Sequence, residues 1–441
     1  MVKPNILLII TDQQNFRMMS CTGNSYLKTP AMDSIAARGV RFEKAYCTNP
    51  LCIPSRFSLM TGKMPSEIGL WDNAPGTIPP VPEEILRNGI GWTFRNGGYE
   101  TVYGGKEHLP RFKAADVGFE YLSSDERDIL ADECSSYLFR KKDKPFFLVC
   151  SLINPHDICL MALKEKAESE LDKLILSKSQ VEIETLEKAL VMPSDADRKI
   201  FFDRHCPPLP PNFDFQKDEP GMIEDFVARR AFQKHVRHNW SEEKWRMHRW
   251  AYCRLTEMAD TQIGRVLDAL EKSGHADNTV VVFTSDHGDN DSSHRLEHKS
   301  VFYEESTKVP FIISAPDSVQ GKVDLENPVS NGLDIFPTLC DYAGISPPSD
   351  LKGFSLRPLV SGKTTGIERK IIPVEGELGR MAVSSKFKYA LYDGGENCKQ
   401  LYDLERDPWE TQNYANEPGL RKTMEEYEKF IAVNFPVKPV L

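Results

Sequence analysis

Four short runs, Asn5 to Ile10, Phe146 to Leu152, Thr279 to Phe283 and Val309 to Ile313, are aliphatic or aromatic with almost no polar alternation. A strand apolar at nearly every position must be covered on both faces, so these runs point to a buried, mostly parallel sheet. Helical spacing fills the intervals between them. The clearest case spans roughly Trp245 to Leu270, where Leu255, Met258, Ile263, Val266, Leu267 and Leu270 recur on one face. Strands alternating with helices predict an α/β sandwich, a large mostly parallel central sheet flanked by helices.

Three of the runs end in polar clusters: Asp12-Gln13, Asn154-Pro155-His156 and Asp286-His287-Gly288. Open α/β sheets bind ligands outside the carboxyl ends of their strands, so these clusters can meet in one site. Each alone has a local explanation, because Asp, Asn, Pro and Gly also terminate strands. Between the second and third runs, Leu163 to Leu190 is rich in Lys, Glu and Leu and suits an exposed helix or helical hairpin, broken by the prolines of residues 207–211. We read residues 1–365 as one large unit carrying a helical insertion at about 160–245. Residues 366–441, with short strands near Lys370 to Val374 and Lys386 to Tyr392 and a helix near Leu420 to Val433, form a small C-terminal α+β subdomain.

Composition narrows the partners. With 40% hydrophobic and 27% charged residues the chain is an ordinary globular protein, and a net charge of -10 argues against nucleic acid or an anionic membrane as partner. The first apolar run is far too short to span a bilayer. The expected location is cytoplasmic as the sequence stands, or periplasmic or secreted where a signal peptide has been removed. Ten cysteines without a C-x-x-C pair suggest buried thiols in place of a disulfide framework.

The run Cys52-Ile53-Pro54-Ser55-Arg56, followed by Thr61-Gly62, resembles the C-x-P-S-R signature of the type I sulfatases, in the alkaline phosphatase superfamily. The likeness extends along the chain. Gly105-Lys106-Glu107-His108-Leu109 resembles the family's G-K-x-H-L segment, Lys299 with Tyr303-Glu304-Glu305 its K-x-x-x-Y-E-E segment, and Leu401 to Glu410 its L-Y-D-L-x-x-D-P-x-E segment. The resemblance implies an alkaline-phosphatase-like sandwich with a small four-stranded C-terminal sheet. It also implies that a maturation enzyme oxidises Cys52 to formylglycine, whose hydrate attacks sulfur.

By family position, Arg56 stabilises that nucleophile and His108 takes its proton, Lys106 and Lys299 bind sulfate oxygens, and His156 protonates the leaving oxygen. Asp12, Gln13, Asp286 and His287 occupy the metal-ligand positions. Their oxygens suit a hard cation, calcium first. His287 stands where many arylsulfatases have asparagine, and its softer imidazole keeps manganese and magnesium open. Asn73, His294 and His298 are candidate substrate contacts.

A sulfate ester on a carbohydrate, a small molecule or an oligosaccharide, is the expected substrate. Two alternatives stay open: a phosphonate monoester or phosphodiester hydrolase of the same superfamily, and a non-catalytic sulfated-glycan-binding protein with unmodified Cys52. His294-Arg295-Leu296-Glu297-His298 also fits the H-x-x-E-H zinc string, which requires a helix. The basic and aromatic stretch Arg229 to Arg246 suits either a sugar cradle or an amphipathic helix with its tryptophans inward.

Overall fold

A computed structural model describes residues 3–74, 76–194 and 197–435. Its centre is an eight-stranded sheet ordered Glu120–Ser123, Glu100–Gly105, Phe146–Pro155, Asn5–Asp12, Thr279–Ser285, Phe311–Ser314, Val40–Phe42 and Lys322–Asp324. The strands Asn5–Asp12 and Phe146–Pro155 are buried along their whole length, as their unbroken apolar character requires. Thr279–Ser285 is likewise buried throughout and pairs in parallel with the first strand, Asn5 opposite Thr279 and Thr11 opposite Ser285. That register brings Asp12, the last residue of its strand, beside Asp286, the first residue past the neighbouring one.

One expectation is corrected. The run Val309 to Ile313 forms Phe311–Ser314, which is antiparallel to Thr279–Ser285. Burial on both faces makes a strand uniformly apolar whichever way it runs, so the pattern does not encode direction.

Helices cover both faces of the sheet. The longest, Glu242–Lys272, starts at Ser241, whose hydroxyl accepts from the Lys244 N–H, and it carries Glu242 and Glu243 in its first turn and Lys272 in its last. Its apolar stripe, including Ile263, Val266 and Leu270, packs with Leu7, Ile9, Leu148 and Phe283 of the sheet. The Lys/Glu/Leu run resolves into helices Glu170–Lys178 and Gln180–Ala189. Trp240 and Trp245 are buried in a separate core with Leu160, Phe232 and Tyr252.

Beyond the central sheet, Ile372–Gly376, Gly379–Val383, Phe387–Tyr392 and Lys399–Asp403 make a four-stranded antiparallel sheet, backed by helix Arg421–Asn434. Phe302 and Tyr303 of the large body pack with Val374, Met381 and Tyr402 of this small sheet. Beneath them Lys388, fully enclosed, pairs with Glu304 at 3.2 Å and with Glu410. Among the described residues, no helix is long and apolar enough to cross a membrane.

Candidate active site

Cys52 opens the helix Cys52–Thr61, all ten residues of which are buried, so its thiol sits at the positive end of a helix inside the protein. The Ile53 N–H at that end donates to Asn73 Oδ1 at 3.0 Å. This contact gives Asn73 a part in fixing the helix start. Ser55 Oγ donates to the Asp286 carbonyl at 2.5 Å, tying the same turn to the neighbouring strand end.

Arg56, one turn along, is the organising cation. Its Nε meets Asp286 Oδ2 at 2.8 Å and its Nη2 meets Asp12 Oδ2 at 2.9 Å, while Nη1 donates to the Lys106 carbonyl and to Ser151 Oγ. The Lys106 carbonyl reaches Arg56 because Gly105 sits at φ 92°, where a Cβ would lie 2.0 Å from the Ser151 oxygen. Lys106 Nζ adds a second cation on Asp12 Oδ2 at 2.8 Å. Burial pushes the Asp12 carboxyl up, but Lys106, His156, Arg56 and Lys299 outweigh it and hold the group well below the usual carboxylate range.

Around the Cys52 sulfur, His287 Nε2 lies at 3.1 Å, Lys299 Nζ at 3.2 Å and Asp12 Oδ1 at 3.8 Å. Burial and Asp12 raise the thiol pKa, whereas Lys299, His287 and Lys106 lower it further and leave it well below the ordinary cysteine value. Lys299 also reaches Gln13 Oε1 at 2.6 Å. Sequence reasoning missed the rest of the Gln13 setting: Cys159 Sγ at 3.1 Å from the same oxygen, Asp289 accepting from Gln13 Nε2 at 2.6 Å, and the Tyr252 hydroxyl on its carbonyl at 2.5 Å. These partners come from three distant segments, and no short motif contains them.

The residues fit a divalent cation. Donor atoms of Asp12, Cys52, Asp286 and His287 lie within 4.8 Å of one another and all four residues are buried. His287 Nδ1 lies 2.9 Å from the Gly288 carbonyl, so that nitrogen carries a proton, and Nε2 faces the cluster, where a neutral imidazole would present its lone pair to a cation. Gly288 passes so near Glu305 that a Cβ would lie 1.9 Å from the Glu305 oxygen. Gln13, expected as a fourth ligand, has its oxygen engaged by Lys299 and Cys159.

The other expected residues spread outward. His156 is half-buried, and burial together with Lys106 and Lys299 depresses its pKa well below that of a free imidazole. His108 is exposed, and among the described residues no hydrogen bond or ion pair joins it to the Cys52 group. His298 lies against Glu297 and the Phe232 ring. His294, a candidate substrate contact, is 1% exposed and its ring stacks on Tyr303 with centroids 3.8 Å apart. The zinc string forms no helix: a short 3-10 turn at Ser293–Arg295 and positive φ at His294, Arg295 and His298 replace it. In the basic stretch the tryptophans point inward, and Arg230, Arg237 and Lys244 pair with Asp172, Glu219 and Glu165, which makes it an amphipathic structural element.

The sulfatase family model matches residues 4–345, and the model for the C-terminal region of N-sulphoglucosamine sulphohydrolase matches residues 292–433. The chain belongs to the sulfatase family. It is a sulfuric ester hydrolase with the alkaline-phosphatase-like fold, and its family implies a divalent metal and a formylglycine. A Δ4,5-hexuronate-2-O-sulfatase of Bacteroides thetaiotaomicron is 30% identical over 455 residues, covering 97% of this sulfatase and 88% of the relative. An N-acetylglucosamine-6-O-sulfatase of the same organism is 27% identical, covering 96% and 85%. The solved structure of a 2-O GAG sulfatase superposes with a TM-score of 0.80 at 29% identity, covering 98% of this chain and 91% of that one.

Proposed function

We propose that this sulfatase hydrolyses a sulfate monoester on a carbohydrate, a glycan or glycosaminoglycan fragment. The observation that carries the reading is the ring of cations around Cys52. Lys299 touches the sulfur, while Lys106 and Arg56 share Asp12. Such a ring neutralises the sulfuryl oxygens of an entering ester, and fixed buried charges do so without reorganising during the reaction. Named activities of the two relatives, on a hexuronate and on N-acetylglucosamine, support a sugar as the alcohol.

A formylglycine made from Cys52 by a maturation enzyme would supply the nucleophile, and a divalent cation held by Asp12, Gln13, Asp286 and His287 would polarise the ester. Calcium is proposed because three of the four offer oxygen. The chain's own residues do the rest. Arg56 fixes Asp12 and Asp286 against each other. Lys299 lets go of Gln13 Oε1 to bind a sulfate oxygen, and Lys106 binds another. His156 gives its proton to the leaving sugar oxygen. Burial, Lys106 and Lys299 disfavour protonated His156, and an anionic ester between the two lysines opposes their repulsion and favours the proton that His156 donates.

Two measurements test this together. Peptide mass analysis after expression with a maturation enzyme is expected to show formylglycine at position 52. A panel of sulfated sugars, nitrophenyl sulfate and a phenyl phosphonate is expected to give the highest kcat/KM on a sulfated sugar. Unmodified Cys52 in fully active enzyme, or faster cleavage of the phosphonate than of every sulfated sugar, overturns the reading.

A further inference from the structure

Two adjoining grooves lie outside the Cys52 cluster. The first, about 530 Å³, is lined by Lys28, Arg204, His205 and Arg254 around Trp250, and the second, about 310 Å³, by Arg17, Arg249 and Trp409 with the prolines of residues 208–211. Ser25 and Tyr26 line both, so the two form one continuous track. None of Asp12, Cys52, Arg56, Lys106, Asp286, His287 or Lys299 lines either of them.

The charge of this track runs against that of the molecule. In a chain of net charge -10, five Lys and Arg side chains line this track; Arg17, Arg249 and Arg254 are matched by Glu305 at 3.9 Å, Asp291 at 3.3 Å and Glu257, the one carboxylate among the described lining residues, and Lys28 and Arg204 are the excess. Glu257 is already committed, to Arg254 at 2.9 Å and to the Lys28 N–H at 2.7 Å. Lys28, Arg204 and His205 are exposed and make no ion pair among the described residues. Arg204 and His205 are presented by a single π-helical turn, Phe201–His205, a geometry uncommon in helices and often found at binding sites.

Aromatic rings are interleaved with the cations. Arg254 lies 4.2 Å from the Trp250 ring centroid and Arg17 lies 3.7 Å from that of Trp409. Trp250 is 5% exposed and Trp409 half-buried, so the rings hold these two guanidinium groups in place, and what the groove offers a ligand is a row of positioned cations, which matches a chain of repeated anionic groups.

We propose that this track is an exosite for the uncleaved part of a sulfated oligosaccharide, holding the chain by its sulfates away from the catalytic centre. The identity of the occupant rests on the carbohydrate reading above, but its binding is measurable without turnover. The local field gathers an anionic chain that the rest of the acidic surface repels, and added salt screens that attraction.

The probe is a size-fractionated heparin octasaccharide, titrated by calorimetry into Cys52→Ala protein so that nothing is consumed. Replacing Lys28, Arg204 and His205 together with Ser, Ser and Gln is expected to weaken binding at least tenfold. Raising salt from 50 to 300 mM is expected to weaken wild-type groove binding much more than binding by the triple variant. In protein retaining Cys52, the same three changes are expected to leave nitrophenyl sulfate turnover within twofold, since these exposed side chains touch no part of the core. Equal affinity in the variant, or no binding by the wild-type groove, overturns the exosite even where sulfated sugars are cleaved. Binding that depends on Arg204 in an enzyme that cleaves no sulfated sugar sustains the exosite and overturns the substrate reading instead.

Discussion

Lys299 donates to Gln13 Oε1 at 2.6 Å while the same Nζ stands 3.2 Å from the Cys52 sulfur. One ammonium thus ties a candidate metal ligand to the nucleophile precursor, and it is the group best placed to exchange a protein oxygen for a sulfate oxygen. Lys299→Ala is expected to lower kcat/KM about 10²- to 10³-fold, in the range found when one preorganised donor to a developing anion is removed. Lys299→Arg is expected to recover little of it, because a planar fork does not replace a point charge in a buried slot. Steady-state kinetics with unchanged thermal unfolding checks both. Near-wild-type rates in either variant refute the role.

His156 separates substrates by their leaving groups. A sugar alkoxide needs a proton and a nitrophenolate does not. His156→Gln is expected to cost about 10²- to 10³-fold on a sulfated sugar and less than about tenfold on nitrophenyl sulfate. Equal losses on the two substrates remove His156 from the acid role.

Arg56 neutralises two carboxylates that are fully enclosed, Asp12 and Asp286. In metal-stripped protein, Arg56→Ala takes from Asp286 its guanidinium and leaves Asp12 with Lys106, and a loss of about 3–5 kcal/mol is expected from urea unfolding. Chelation of the unaltered enzyme is expected to lower both its activity and its melting temperature, and calcium to restore both, since a ligand that binds only the folded state stabilises it. A melting temperature indifferent to chelator and to calcium would falsify the metal assignment.

Glu410 gives a pH dependence with a fixed sign. Burial raises its carboxyl to about 8, although Lys388 pulls the other way, and its neighbour Glu304 stays ionised below its ordinary range despite burial, through Lys388 and Lys308. Between its ordinary value near 4.5 and about 8, folded Glu410 keeps a proton that the unfolded chain releases. Its contribution is therefore full at low pH and is lost as pH rises through that window. Glu410→Gln, which imitates the protonated form, is expected to flatten the fall in stability between pH 5.5 and 8 by about 1–2 kcal/mol. Urea midpoints at the two pH values measure it, and a slope unchanged by the substitution refutes the assignment.

The sequence carried the chemistry further than the architecture around it. Cys52, Arg56, Lys106 and Lys299 are legible because each lies in a short motif, and the structure packs the four within one buried cluster. The strands Asn5–Asp12 and Phe146–Pro155 were equally plain, since full burial leaves no polar alternation. Direction was not, as Phe311–Ser314 shows, because hydrophobicity is blind to polarity of the chain. Cys159, Asp289 and Tyr252 escaped notice because they converge on Gln13 only through the fold. The setting of His294 was likewise hidden: its stacking on Tyr303 is a contact that only the fold shows. The stretch Arg229 to Arg246 suited either a sugar cradle or an amphipathic helix, and sequence could not choose because the partners Asp172, Glu219 and Glu165 lie in other elements.

The buried group of Glu304, Lys388 and Glu410 lies across the apolar seam shared by the two bodies, and Glu304 follows Lys299 by five residues. The small sheet is thus a counter-charge for the loop that delivers a working lysine. A chimera that borrows the C-terminal sheet of another protein leaves the buried carboxylate of Glu304 with Lys308 as its one remaining cation among the described residues unless the donor brings its own equivalent of Lys388. Recombination across this seam is constrained by electroneutrality before it is constrained by shape.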